Sequence, residues 1–300
     1  MRRPEAADLM LLVTVGIWSL NFTVTKYVLN HGFRPLAYSG IRFGAAALLF
    51  IGVTWSREHS FRLRRKDIPF IVGAALIGVS LNQVTFVYGT KLTTATTVAL
   101  IFGTLPIMTA LFAAAGGIES LDARFWLAAA ISFGGVCMVA FGAKGGVSGD
   151  LWGYGLALVA AATWAAYSVS IAPLMTRYTA ARISAFALTL GSIPVLIVGA
   201  PQIADQSFSG LPTLVWVAFV FAVLGPLFLT NLLWFNAIDR VGPSRASLYA
   251  NLQPFLGAIF ALLLLSEPLT RYQVAGGLLI ATGIVLSRGR EPALVAAEGS

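Results

Sequence analysis

The chain has 300 residues, of which 58% are hydrophobic and 11% charged, and a formal net charge of +8. Soluble domains carry about a quarter of their residues as charged side chains, so this composition excludes an ordinary water-soluble globule and places the chain in a lipid bilayer. The basic excess lies between apolar runs, where it sets membrane orientation, and is not read as a nucleic-acid footprint; the lone Cys137 excludes an intramolecular disulfide or a cysteine-built metal site.

In chain order, Arg2 and Arg3 precede an apolar run that is full length and lacks a small-residue cleavage pattern, so the first segment is expected to stay. A transmembrane helix needs about 20 mostly apolar residues. That rule predicts spans at 8–29, 36–56, 68–90, 94–115, 123–143, 151–172, 182–199, 212–237, 243–265 and 270–288. Runs this continuous predict helices and not a barrel, because a helix satisfies its own backbone hydrogen bonds. The expected fold is an all-α polytopic membrane protein of ten transmembrane helices.

With an even count the termini share a side. The termini and the 2–3, 4–5, 6–7 and 8–9 connections hold fourteen Lys and Arg, while the opposite connections hold four, Arg34, Lys91, Lys144 and Arg271. The bias places both termini in the cytoplasm. The loop REHSFRLRRK supplies five of the fourteen. It reads as an orientation anchor on the anionic leaflet, with a specific lipid-binding site as the alternative.

The chain also repeats itself. A shift of 148 positions superposes Leu81 on Leu229, Leu100 on Leu248, Pro106 on Pro254, Phe112 on Phe260, Glu119 on Glu267 and Gly135 on Gly283; a shift of 146 pairs Trp18 with Trp164. Two five-span repeats, 1–146 and 147–288, are expected, with 289–300 a disordered tail. An odd number of spans per repeat makes the halves antiparallel across the membrane. The expected site is then a central cavity between them, near the bilayer midplane, in an arrangement suited to alternating access.

The residues PFLGAIFALLLLSEPLT, followed by YQVAGGLLIATGIVL, resemble the EamA-type carriers of the drug/metabolite transporter superfamily. Pro254, Glu267, Pro268 and Gly276-Gly277 carry the match in the second half, while in the first half Ser120 replaces the Pro after Glu119. Within that family the chain is most similar to bacterial inner-membrane exporters of aromatic and other neutral amino acids and of cationic aromatic compounds. The resemblance implies an amphipathic small-molecule substrate, without naming one.

Helical spacing sorts the polar residues onto faces. Span one gathers Trp18, Asn21, Phe22 and Thr25; span three gathers Asn82, Thr85, Phe86 and Gly89. Span six offers Trp164, Tyr167 and Ser168, and span eight Thr230 and Trp234, with Asn231 on the adjacent strip. Polar side chains at this depth face the bundle interior or a wet cavity. Helix-to-helix amide bonding would explain any single Asn; the pairing of aromatics with amides in four spans favours a cavity wall. The stretch LYANLQPFLG adds Tyr249, Asn251 and Gln253 to that wall. Its Pro254 should kink the helix and leave the Ala250 carbonyl without its usual partner. With Gly257, and with Gly103 and Pro106 in the first half, it forms the expected hinge set, a kink used only for packing being the alternative. Gly40 with Gly44, and Gly277 with Ala281, are read as close-packing sites before dimerisation sites. The oligomeric state stays open.

No Asp or Glu falls mid-span, which argues against carboxylate-based proton antiport and favours facilitated export, with proton coupling by another route open. Lys26 and Arg42 lie inside spans with no assigned partner. Lys26 is within snorkelling reach of an interface; Arg42 is deeper, and could meet a carbonyl, a lipid phosphate or a substrate carboxylate. The cavity is expected to offer rings that weakly favour cations and amides that hold amino or carboxyl groups without a fixed charge. No cofactor is implied. An enzyme has little support, since His31 and His59 lie in loops and GxSxG and HExxH are missing. KGGVSGD lacks the ending of a phosphate-binding loop and reads as a turn. A structural or regulatory membrane subunit is the remaining alternative.

Overall fold

The structure, a computed structural model, describes residues 6–142, 150–265 and 269–287. Lys144, most of KGGVSGD, Glu267, Pro268 and the tail 289–300 lie outside the described residues. Every described element is helical. α1 (Ala6–Asn30) and α2 (Pro35–Glu58) are joined by a turn in which Gly32 takes a φ of +96°, a conformation open to a residue without Cβ. The third span is α3 (Ile68–Ala75), a π-helical turn (Leu76–Leu81) and α4 (Asn82–Leu92). The fourth is divided into α5 (Ala95–Phe102) and α6 (Leu105–Ala115). α7 (Ala123–Gly142), α8 (Leu151–Ile171) and α9 (Ala180–Ala204) follow. Then come α10 (Thr213–Val223), a second π-helical turn (Leu224–Leu229) and α11 (Thr230–Val241). α12 (Pro243–Leu248), a 3-10 turn (Tyr249–Leu252), α13 (Gln253–Leu265) and α14 (Arg271–Ser287) complete the chain.

Eight of the described helical segments are long and apolar enough to cross a bilayer, so the protein is multi-pass. The stretch expected as a ninth span is a helix in pieces, and α14 has 17 residues.

Two kinds of interruption recur at one offset. The two π turns begin at Leu76 and Leu224 and end at Leu81 and Leu229, 148 positions apart at both ends. In each, the next residue's N–H reaches back five positions, Asn82 to the Ile77 carbonyl and Thr230 to that of Gly225. The second pair is the break before each proline. Gly103 and Thr104 close i−3 bonds to Leu100 and Ile101 at 2.9 and 3.0 Å before Pro106 opens α6. At the equivalent place the 3-10 turn runs into Pro254 near the start of α13. The Ala250 carbonyl is therefore not orphaned, as the sequence had suggested: tightening to 3-10 geometry lets Gln253 N–H bond to it.

Close backbone approach builds the α7–α14 pair. A Cβ on Gly135 would meet the Gly276 carbonyl at 2.6 Å, one on Gly276 the Gly135 carbonyl at 2.5 Å, and one on Gly283 the Ala128 carbonyl at 2.6 Å. Shifted by 148, Gly135 becomes Gly283 and Ala128 becomes Gly276, so the contacts exchange with each other as contacts across a two-fold do. Gly40 faces Leu196 of α9 and Gly277 faces the Phe255 ring, both inside the chain.

The two in-span cations are accounted for separately. Lys26 Nζ donates to the carbonyls of Thr90, Lys91 and Thr93 at 2.9, 3.1 and 2.7 Å, capping the end of α4. Arg42 belongs to the site described next. At the basic loop, Arg182 pairs with Glu58 at 2.7 Å and Arg177 with Asp67 at 3.1 Å, tying the ends of that loop to the start of α9 and to the turn before it.

Candidate functional site

A pocket lies between the two π turns, walled by α1, α2, α4 and α8, with single residues from α5, α6, α9, α11 and α13. Its lining is paired. Trp18 and Trp164, Asn21 and Tyr167, and Arg42 and Leu188 stand 146 positions apart; Val79 and Leu227, Gln83 and Asn231, and Leu105 and Gln253 stand 148 apart. Twelve of the eighteen lining residues thus occupy equivalent positions in the two halves. The other six are Phe22, Phe43, Asn82, Phe86, Phe102 and Pro226.

Aromatic rings divide into two groups. Trp18 meets Trp164 edge-on at 5.4 Å and Trp234 at 4.9 Å, and Trp164 meets Tyr167 at 5.5 Å. Phe22, Phe86 and Phe102 form a triangle, with centroids 5.9, 5.8 and 6.0 Å apart. Such tilted and edge-on pairs stabilise by about 0.5–1.5 kcal/mol each beyond area burial.

A polar chain crosses the first-half wall. Arg42, 2% exposed, donates through Nη2 to Gln83 Oε1 at 2.9 Å and through Nη1 to the Tyr38 hydroxyl at 3.2 Å. Its guanidinium carbon stands 4.7 Å from the Tyr38 ring centroid and 5.3 Å from that of Phe43. Gln83 Nε2 donates to Asn82 Oδ1 at 3.0 Å, and Asn82 Nδ2 to the Ala160 carbonyl at 2.7 Å and Thr163 Oγ1 at 3.2 Å. The pocket therefore does hold a fixed charge, contrary to the sequence expectation, because α2 turns Arg42 inward. Four lining residues keep a buried polar atom with no protein partner: Asn21 Oδ1, Arg42 Nε, Trp164 Nε1 and Tyr167 Oη. Buried polar groups are nearly always bonded, so four on one pocket are what a ligand or water would satisfy.

Of the twelve residues expected on the cavity wall, Trp18, Asn21, Phe22, Asn82, Phe86, Trp164, Tyr167 and Gln253 line this pocket. The other four lie elsewhere. Thr85 bonds back to the carbonyls of Leu81 and Asn82 within its own helix. Trp234 is fully buried behind Trp18, with its Nε1 on Ser168 Oγ at 3.2 Å. Tyr249 bonds Asp8 near the start of α1, and Asn251 Nδ2 bonds Ser132 of α7 at 2.9 Å. The structure adds Gln83 and Asn231, each one position beyond the residue the helical wheel favoured, and Phe102 at the end of α5. The offset of 148 links Gln83 to Asn231 and could have found both.

Among the expected hinge residues, Gly103 lets α5 approach α7, since a Cβ there would meet Val136 at 2.7 Å. Pro106 and Pro254 stand at the openings of α6 and α13. Gly257 lies inside α13 with nothing within 4 Å of a Cβ.

The sequence profile of the EamA-like transporter family matches the chain twice, over residues 5–141 and 151–289. An uncharacterized transporter of Archaeoglobus fulgidus is 27% identical over 282 residues, covering 93% of this chain and 97% of that protein. The uncharacterized inner membrane transporter YedA of Escherichia coli is 26% identical over 283 residues, covering 91% and 88%. A protein of Streptantibioticus cattleyicolor named a probable terminal-alkyne amino-acid exporter is 25% identical over 288 residues, covering 93% and 92%. A solved crystal structure shares the fold with a TM-score of 0.74 at 19% identity, covering 94% of this chain and 96% of its own.

Proposed function

Because the chain belongs to the EamA-like transporter family, we propose that it is a secondary carrier that exports amphipathic small molecules, aromatic and other neutral amino acids foremost, by alternating access. The observation that carries this reading is the pocket lined by six pairs of equivalent residues. A site shared by two repeats is what a carrier needs, because exchanging the conformations of the halves opens the same pocket to the other side. The reciprocal α7–α14 contacts and the matched π turns support two inverted five-helix repeats, with α12–α13 and α14 as ninth and tenth crossings. The amino-acid export named for the Streptantibioticus relative points the same way. The lysine and arginine bias supports an inner-membrane orientation with both termini cytoplasmic.

The wall chemistry suits a ring-bearing amino acid. Trp164, Tyr167 and the Phe22–Phe86–Phe102 triangle offer stacking surfaces, and Asn21, Gln83, Asn231 and Gln253 offer amides. The test is counterflow of radiolabelled L-phenylalanine by purified protein in liposomes. Saturable exchange with unlabelled substrate on the far side is expected; flux no greater than in protein-free vesicles, across aromatic and aliphatic amino acids alike, overturns the reading in favour of a structural subunit.

A further inference from the structure

We infer that Arg42 is the anchor for the substrate's carboxylate, so that the carrier selects acids over otherwise identical neutral or cationic compounds. The inference rests on the transport reading above and adds the group by which the substrate is recognised.

Arg42 lies two turns into the 24-residue helix α2 and is 2% exposed. Among the described residues no ion pair involves it, and the pocket lining contains no Asp or Glu. A guanidinium is charged at any physiological pH and offers five N–H donors. Two are used, on Gln83 and the Tyr38 hydroxyl, while Nε is buried without a partner. An unpaired charge buried in a membrane protein is costly, and such residues mark substrate or ion paths by default.

A purely structural role explains less. Holding Gln83 needs a donor, which a neutral side chain would supply without the desolvation cost. The equivalent position in the other half is Leu188, which lines the same pocket, so this place in the fold does not itself demand a cation. The rings of Tyr38 and Phe43 flank the guanidinium and stabilise its charge without neutralising it. Three further unpartnered atoms complete a match to a zwitterion: Trp164 Nε1 and Tyr167 Oη can donate, as a carboxylate requires, and Asn21 Oδ1 can accept from an ammonium group. The positive charge also turns away the cationic aromatic compounds that rings alone would admit.

The experiment compares L-phenylalanine, 3-phenylpropanoate and L-phenylalaninamide as competitors of labelled L-phenylalanine counterflow in liposomes, and as ligands by intrinsic tryptophan fluorescence. In the wild-type protein both carboxylates should compete at least about tenfold more strongly than the amide, the scale of a charge-assisted hydrogen bond. Arg42→Gln should remove that preference by weakening the acids and sparing the amide, and Arg42→Lys should keep part of it. A wild-type protein that takes the amide as well as the acid overturns the inference and leaves the transport reading standing. Equal loss for acid and amide in folded Arg42→Gln overturns it as well, reducing Arg42 to a prop for Gln83. No counterflow of any probe by wild type removes both readings. Should Arg42→Gln fail to fold, the wild-type comparison alone decides.

Discussion

The two walls of the pocket stand at equivalent places in the chain and are chemically unlike. The first-half wall carries Arg42, Gln83 and Asn82 in one bonded chain, and a triangle of phenylalanines. At the equivalent positions the second half has Leu188, Asn231 and Thr230, and for Phe22, Phe86 and Phe102 it has Ser168, Trp234 and Ala250. The phenylalanines reach the pocket, whereas Ser168, Trp234 and Ala250 are packed away from it. Even the tryptophan pair is unequal: Trp18 Nε1 is held by Thr230 Oγ1 at 3.0 Å, and Trp164 Nε1 has no partner. A near two-fold backbone offers two related arrangements, and the side chains make them different. Under the alternating-access cycle proposed above, that difference would determine what is recognised and which side the pocket faces in a given state.

The two walls should respond most differently at Phe86 and Trp234. Trp234→Ala removes a fully buried ring and should destabilise by about 3–5 kcal/mol, whereas Phe86→Ala, whose space merges with the existing pocket, should cost clearly less. Thermal unfolding in detergent reads both; equal losses would mean that the walls do not differ as described. Next in size is Trp164→Ala, which removes ring contacts from the unpinned side and should weaken binding of aromatic amino acids about tenfold more than that of leucine. Competition assays on the folded variant check it, and a uniform loss would argue against stacking. The smallest contrast concerns the hinge. Pro254→Ala restores a backbone donor at the helix break and should slow exchange several-fold with little change in affinity. Gly257→Ala should leave exchange unaltered and stabilise by about 0.5–1 kcal/mol, since a Cβ there meets nothing within 4 Å. If Gly257→Ala also slows exchange, the bend resides in α13 and not in the turn before it.

Much of the arrangement was legible in the residues. The shared prolines at 106 and 254 foretold both helix breaks, and Trp18 and Trp164, expected on the cavity wall, both line the pocket. Where the reading failed, it failed by rotation about a helix axis. Thr85 and Trp234 were assigned to the wall because each shares a helical strip with a polar residue of its own helix, Asn82 in α4 and Thr230 in α11. The strip that meets the pocket is turned one position further, through Gln83 and Asn231, which leaves Thr85 bonded within its own helix and Trp234 packed behind Trp18. Tyr249 and Asn251 failed differently: their partners, Asp8 and Ser132, lie more than a hundred positions away and leave no local trace.

Apolar length, proline and self-similarity are properties of the chain in one dimension. They were enough to foretell an all-helical, multi-pass chain and the breaks at both prolines, because the bilayer and the missing proline N–H act on each segment by itself. Which strip of each helix meets the pocket, that Arg42 turns into it unpaired while Leu188 takes the matching place, and that Trp234 stands behind Trp18 were decided only in the folded protein. Those outcomes depend on how neighbouring helices rotate to close-pack their side chains and pair their polar groups, and no single segment contains that information.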